Sequence, residues 1–301
     1  MIIASNVTKR FSDVVALDHL SCRIPDGCVY GLVGANGAGK STFLRLASGV
    51  YRPDEGSITM DQQPVFENLS VKKRCVFVAD EPFALAHADM KRMAALYASA
   101  YEHYDFKRFD ALVREFELPM DRPLVTFSKG MRRQAATILA LSTGAQVYFF
   151  DETFDGLDPV MRGLVKRKLY DEVFDRGATV IVTSHSLREL EDTCDQLALL
   201  YKGGIVMESD VGELKTSIFK MQVAFREEYD QTKFAGLDIV SHNRQGSVSS
   251  LIVRGDRAAC RAKLEAMEPL LLEVVPMTLE EIFVYEMEAL GYAFQKGEDK
   301  A

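Results

Sequence analysis

CVYGLVGANGAGKSTFLRLASG, Cys28 to Gly49, decides the fold class of this chain. Cys28 to Val33 is short and mostly apolar, the pattern of a buried strand. Ser41 to Ala47 reads as the start of a helix. Between them, Gly34, Gly39, Lys40 and Ser41 satisfy G-x-x-x-x-G-K-[ST]. Gly34, Gly37 and Gly39 let the backbone fold tightly and turn its N–H groups inward. The helix N-terminus adds a positive dipole end aimed at the same point. A strand, a glycine loop and a helix in that order make a phosphate cradle, and the expected ligand is a nucleoside triphosphate with Mg²⁺. Lys40 is placed to reach the β- and γ-phosphates and the Ser41 hydroxyl to bind Mg²⁺; Asn36, Ala38 and Thr42 belong to the same nucleotide-binding loop.

VYFFDETFDGLDP, Val147 to Pro159, ends an apolar run in adjacent acids, Asp151 and Glu152, with Asp155 and Asp158 close behind. Unpaired buried carboxylates are costly, so this cluster calls for a cation brought by a ligand. Mg²⁺ on a triphosphate is that cation. Asp151, at the strand end, would meet it directly or through water. Glu152, one residue on, points elsewhere and suits polarising the water that attacks the γ-phosphate. The bland alternative for Glu152 is a solvated acid at a strand end.

Three further stretches carry a pattern. TFSKGMRRQAATILALS, Thr126 to Ser142, reads as a helix capped by Ser128, with Met131, Ala135, Ile138, Leu139 and Ser142 on one stripe. VIVTSHSLRELE, Val180 to Glu191, puts His185 directly after a buried strand. KRFSDVVALDHL, Lys9 to Leu20, carries Phe11, either a core aromatic or a stacking surface for a base.

Taken together, these residues make the chain resemble the nucleotide-binding subunits of ATP-binding cassette (ABC) transporters, over at least residues 2–215. Gly34 to Ser41 is similar to their Walker A loop, and Phe127 to Met131 to their signature motif, with Ser128 and Gly130 at the defining positions. VYFFDE resembles Walker B with its catalytic glutamate, Gly156-Leu157-Asp158 the D-loop, and His185 the switch histidine. Phe11 sits where the family stacks an aromatic ring on adenine. The resemblance implies a P-loop NTPase of α/β class, with a mixed sheet core, an antiparallel β subdomain and a helical signature subdomain. It also implies ATP hydrolysis in a head-to-tail pair of cassettes, homodimeric or heterodimeric, at the cytoplasmic face of a membrane permease. Ser128 and Gly130 would then act on the nucleotide across the pair, Asp158 would belong to the nucleotide-binding set, and Lys40, Glu152 and His185 would serve catalysis. Export is the expected direction, by analogy with single cassettes that carry a C-terminal α+β domain.

Three positions depart from the family pattern. Asp80, in RCVFVADEP, stands where the family has glutamine and is an expected Mg²⁺ ligand. Thr153 replaces a proline, and Asp155 replaces a serine in the D-loop.

Composition narrows the alternatives. With 48% hydrophobic and 27% charged residues among 301, the chain can build a substantial core. A formal net charge of −8 argues against a broad nucleic-acid or anionic-lipid surface, so no nucleic-acid partner is expected. The five scattered cysteines lack metal-ligand spacing and are expected to be reduced. MIIASNVTKRF does not read as a signal peptide, and apolar runs such as LALLY at 197–201 are too short to span a bilayer. Any membrane role is therefore expected to come through a partner.

Residues 2–27 and 56–65 read as the antiparallel part, and 84–142 as helix-rich. Tyr97, Tyr101 and Tyr104 suit either helical packing or a groove for a helix of a membrane partner. The cassette pattern, 1–215, gives way to a C-terminal α+β domain over 216–301. There KMQVAF is a strand, followed by a charged turn, strand SVSSLIVRG, helix RAACRAKLEAM and strand LLEVVP. A final helix follows, capped by Thr278 with Glu281 and bearing Leu279, Ile282, Phe283, Glu286 and Leu290 on one face. Two rival functions stay open: a soluble cassette ATPase acting on ribosomes or DNA, and an ATP-binding regulator without turnover.

Overall fold

The computed structural model describes residues 1–289. They form two compact units, residues 1–208 and the chain from Ser209 onward. The division falls within a strand several residues before the sequence pattern of the first domain fades near Lys215.

The first unit runs β1 (Ile2–Phe11), β2 (Val14–Ile24), β3 (Val29–Val33), α1 (Lys40–Ala47), β4 (Glu55–Met60), β5 (Gln63–Pro64), α2 (Leu69–Lys72) and β6 (Cys75–Val78). It continues through α3 (Met90–Ala100), α4 (Phe106–Glu115), α5 (Lys129–Leu141), β7 (Val147–Phe150) and α6 (Pro159–Arg176). The last elements are β8 (Thr179–Ser184), α7 (Leu187–Leu190), β9 (Gln196–Tyr201) and β10 (Gly204–Asp210).

Two sheets result. One is antiparallel, in the order β2-β1-β4-β5. The other has the order β10-β9-β3-β8-β7-β6, with parallel pairing from β9 across to β6. Strands β3, β7 and β8 are buried along their whole length, which is why they read as unbroken apolar runs rather than alternating ones. Helix α1 carries Phe43, Leu44 and Leu46 into one core with Leu17, Leu20 and Ile24 of β2 and Tyr30 and Leu32 of β3. Each such side chain contributes about 1.5–3 kcal/mol of burial. The helix that ends the phosphate loop is thus clamped to both sheets.

Register fixes the working edge. Val33 pairs with Ser184, and both Val78 and Val182 pair with Phe150. The residues that follow these strands, Gly34, His185, Asp151 and Ala79-Asp80, therefore all leave the sheet at its carboxyl edge, where parallel α/β sheets bind ligands.

The helical segment is shorter than its composition suggests: α3 begins only at Met90, capped by Asp89, whose carboxylate accepts from Arg92 N at 2.8 Å. Tyr97 and Tyr101 stack with centroids 6.1 Å apart, and the Tyr101 hydroxyl donates to the Cys75 carbonyl at 3.0 Å. The five cysteines are buried free thiols. Among the described residues, no helix is long and apolar enough to cross a membrane.

The second unit comprises α8 (Val211–Ser217), β11 (Ile218–Ala224), β12 (Asp238–Gln245), β13 (Val248–Arg254), α9 (Arg257–Glu265), β14 (Leu271–Val275) and α10 (Leu279–Ala289). Its sheet order is β12-β13-β11-β14. Strand β12 corrects the expectation of a charged turn between β11 and β13. Its sequence, DIVSHNRQ, is polar because it is an exposed edge, and a tight turn at Gly246 (φ 61°) folds it onto β13. Thr278 N donates to the Glu281 carboxylate at 2.9 Å and Glu281 N to the Thr278 hydroxyl at 3.2 Å, a reciprocal cap for α10. Leu279, Ile282 and Phe283 are buried and Glu286 pairs with Arg254, while Leu290 lies outside the described residues.

Candidate functional site

The phosphate loop, residues 34–41, spans the gap between β3 and α1. Gly39 has φ +111°, and a Cβ there would lie 2.6 Å from the Ala16 carbonyl oxygen. Gly34 would meet the Leu200 carbonyl oxygen at 2.5 Å. Neither position admits a side chain, so packing demands glycine at both, whereas Gly37 has open space and is favoured by its φ of +82° alone. With Gly39 as its N-cap, α1 has no side-chain cap and no acid in its first turn, and its leading N–H groups remain available to a ligand. Asn36 and Gly37 are exposed at or beside the loop tip, Ala38 is buried, and Thr42 lies in the first turn of α1.

Lys40 is 5% exposed and folds back over its own loop. Its ammonium donates to the Gly34 carbonyl at 2.7 Å and the Ala35 carbonyl at 3.3 Å, and stands 3.1 Å from a Glu152 carboxylate oxygen. The other Glu152 oxygen is 3.0 Å from His185 Nδ1. Glu152 therefore bridges the phosphate-loop lysine and the histidine that follows β8. Its backbone holds φ 49°, an uncommon left-handed conformation for a side-chain-bearing residue and the local strain that turns this carboxylate away from the Asp151 side. Thr183 anchors the strand end: its hydroxyl accepts from Glu152 N at 3.0 Å and donates to Asp151 Oδ1 at 2.8 Å.

Asp151 is 1% exposed. Its Oδ1 also accepts from the Ser41 hydroxyl at 3.0 Å, while among the described residues its Oδ2 is buried without a hydrogen-bond partner. Such an orphaned buried carboxylate oxygen is expensive. A divalent cation beside Ser41 would satisfy it. Among the described residues no three His, Cys, Asp or Glu side chains gather into a metal cage. That suits Mg²⁺, which binds through one or two protein oxygens with phosphates and water completing its shell.

Phe11 ends β1, 41% exposed, with its ring edge-on to Tyr51 at 5.5 Å between centroids. The pair offers a half-exposed aromatic platform.

The signature residues lie elsewhere. Ser128 caps α5, its hydroxyl accepting from Met131 N at 3.2 Å. Gly130 packs on the turn after Glu152, where a Cβ would meet the Gly156 carbonyl oxygen at 2.8 Å. Asp158 caps α6, accepting from Val160 N at 2.9 Å and Met161 N at 3.0 Å. Their contacts are to their own helices and to the Gly156 turn, not to residues 34–42. Asp80 does not join the Ser41–Asp151 pair; it forms an ion pair with Arg133 of α5. Asp155 is held by Lys129 at 2.6 Å, which keeps its carboxyl below the usual range, and lies 3.4 Å from Arg133.

Sequence reasoning missed Thr183, Lys129, Arg133 and Tyr51. Thr183 had a signal, a hydroxyl at the mouth of a buried strand two residues before His185. Arg133 had one too, a charge inside the longest buried stretch of α5.

Residues 17–155 match the family described as ABC transporter. Among curated proteins, the chain is 25% identical over 285 residues to the ABC transporter ATP-binding protein YtrB of Bacillus subtilis, covering 94% of this chain and 97% of that one. It is 32% identical over 209 residues to the Nod factor export ATP-binding protein I of Burkholderia lata, covering 67% of this chain and 68% of that one. A solved structure of an ATP binding subunit of an ABC transporter superposes with a TM-score of 0.66 at 22% identity, over 71% of this chain and 92% of that chain. With a phosphate loop, an acidic strand end and a capped signature helix on this fold, the chain belongs to the ABC transporter family, among its ATP-binding subunits.

Proposed function

We propose that this chain hydrolyses ATP to drive export through a separate membrane-spanning permease, as one of two paired cassettes at the cytoplasmic membrane face. The observation that carries the reading is the position of Glu152, between Lys40 and His185 and beside the Ser41–Asp151 pair. In this reading the amides of residues 34–41 and Lys40 bind the phosphates, and Phe11 with Tyr51 receives the base. Ser41 and Asp151 would hold Mg²⁺, which supplies charge neutralisation on the phosphate oxygens when bound. Glu152 orients and deprotonates the attacking water, and His185 holds the γ-phosphate side of the site. Ser128 and Gly130 at the start of α5 serve the partner cassette's nucleotide, with the helix dipole adding positive potential. The export direction is supported by the Nod factor export relative's name and by the second unit, proposed here as an accessory domain.

Glu152→Gln supplies the test. Purified protein should turn over Mg-ATP, and the variant should bind ATP without turnover and double its solution mass in Mg-ATP. Turnover undiminished in the variant would remove Glu152 from the chemistry. Nucleotide binding without turnover in either protein would support a regulator instead.

A further inference from the structure

Asp80 and Asp155, two of the three departures from the family pattern, meet at one side chain. Arg133 is 2% exposed on α5. Its Nη2 pairs with Asp80 Oδ1 and lies 3.4 Å from Asp155 Oδ2, the oxygen that Lys129 Nζ also approaches to 2.6 Å. Asp80 follows the end of β6 and Asp155 follows the end of β7, which are neighbouring parallel strands. One helix thus grips both strand-end loops, and the Asp155 turn is the one that carries Glu152: Asp155 N donates to the Glu152 carbonyl at 3.2 Å.

The grip is incomplete. Both carboxylates address the same nitrogen, and among the described residues Nε and Nη1 of Arg133 are buried without partners. A guanidinium is a planar fork that holds one carboxylate through two parallel N–H bonds. Nη2 carries two N–H groups, one for each carboxylate, so neither acid is held bidentately, and withdrawal of either lets the fork close on the other through a second nitrogen.

We propose that Arg133 is a positioning residue that couples the Asp80 loop to the Glu152–Asp155 turn and so sets the start of α5, the segment that addresses the partner cassette's nucleotide. This rests on the function proposed above. If nucleotide draws Asp80 away, Arg133 closes on Asp155 and tightens the turn that holds Glu152. The low pKa of Asp155, set chiefly by its Lys129 hydrogen bond, keeps that carboxylate charged for the exchange.

Hydrogen exchange on the full nucleotide-free chain tests the coupling. Asp80→Asn and Asp155→Asn alter half-exposed side chains that the fold tolerates. Asp80→Asn should slow exchange in residues 152–157, and Asp155→Asn should slow it in 79–84, because each frees the fork for the remaining acid. Arg133→Gln should accelerate both segments together, with Arg133→Lys intermediate. In steady-state turnover of Mg-ATP, Arg133→Gln should lower kcat about 2- to 30-fold, the span of such couplings, with little change in KM. In the Asp80→Asn/Arg133→Gln double variant, kcat should match that of Arg133→Gln alone, because the Asp80 change acts through Arg133. If Asp80→Asn leaves 152–157 unchanged or faster, or if its effect on kcat persists in the absence of Arg133, the coupling is absent. Wild-type protein that neither binds nor turns over ATP would sink the proposed function, while the exchange measurements still decide the coupling.

Discussion

Glu152 occupies the ammonium that a nucleotide phosphate needs, and this predicts that neutralising it tightens nucleotide binding. Its carboxylate is 3.1 Å from Lys40 Nζ, with the two side chains 14% and 5% exposed, so solvent screening is weak. A hydrogen bond to a charged group contributes about 1.5–3 kcal/mol and a neutral one about 0.5–1.5. Glutamine keeps a hydrogen bond to the charged ammonium and loses only the carboxylate's own charge, so Glu152→Gln weakens the internal competitor by about 1–1.5 kcal/mol, at most the width of the charged range. That corresponds to about a tenfold lower Kd. The same change removes the proposed base, and turnover should fall about 10²- to 10⁴-fold.

Fluorescent-nucleotide titration with ATP and ADP, each with and without Mg²⁺, separates two causes of tighter binding. Stabilisation of a closed pair by unhydrolysed ATP would tighten ATP alone. Release of Lys40 would tighten ADP as well, because in the proposed function the ammonium also binds the β-phosphate. A Glu152→Gln protein that binds ADP no better than wild type, or worse, would refute the reasoning: the Lys40–Glu152 pair would then not oppose the ligand.

Three further outcomes follow from the same geometry. Gly130→Ala drives a methyl to 2.8 Å from the Gly156 carbonyl oxygen, and should cost about 1–3 kcal/mol in urea unfolding even without nucleotide. Arg108→Ala leaves Glu172, which is 0% exposed, with the Tyr148 hydroxyl at 2.9 Å and Arg176 at 3.6 Å among the described residues. A loss of about 3 kcal/mol or more is expected, partly recovered in Arg108→Ala/Glu172→Gln. The Asp155 carboxyl is depressed in the folded protein, so its link to Lys129 contributes stability that is present above the ordinary carboxylate pKa of about 4. The cost of Asp155→Asn, about 0–1 kcal/mol for this half-exposed pair, should hold steady from neutral pH down to about pH 5. It should vanish as pH falls through the depressed value, and a cost that grew in acid would reverse the sign argument.

The phosphate loop was legible because its chemistry dictates residue type at each position: Gly39 needs φ +111° beside a carbonyl, and no other residue fits. Buried strands β3, β7 and β8 announced themselves as apolar runs, since both of their faces are covered. What sequence withheld was adjacency. Nothing in the chain order says that β3 lies next to β8 and β8 next to β7, and this order is what sets Lys40, Glu152 and His185 within ion-pair distance. Strand β12 stayed hidden for the opposite reason: an exposed edge carries no apolar alternation to read.

Asp80 and Asp155 show the same limit at single-residue scale. Taken one position at a time, each is an acid where the family has a neutral side chain, and Asp80 reads as a Mg²⁺ ligand. In the folded chain they stand against Arg133 and Lys129. The local charge is balanced within the subunit: two carboxylates face two cations, and Asp80 answers to α5 rather than to the Ser41–Asp151 pair. An acid that would repel γ-phosphate when free is instead held by a buried guanidinium. The departures therefore redirect the loop after β6 toward the signature helix. Because one nitrogen of Arg133 serves both acids, this redirection gives the loop an anchor shared with the Asp155 turn, a charged link that a neutral glutamine at position 80 would not confer.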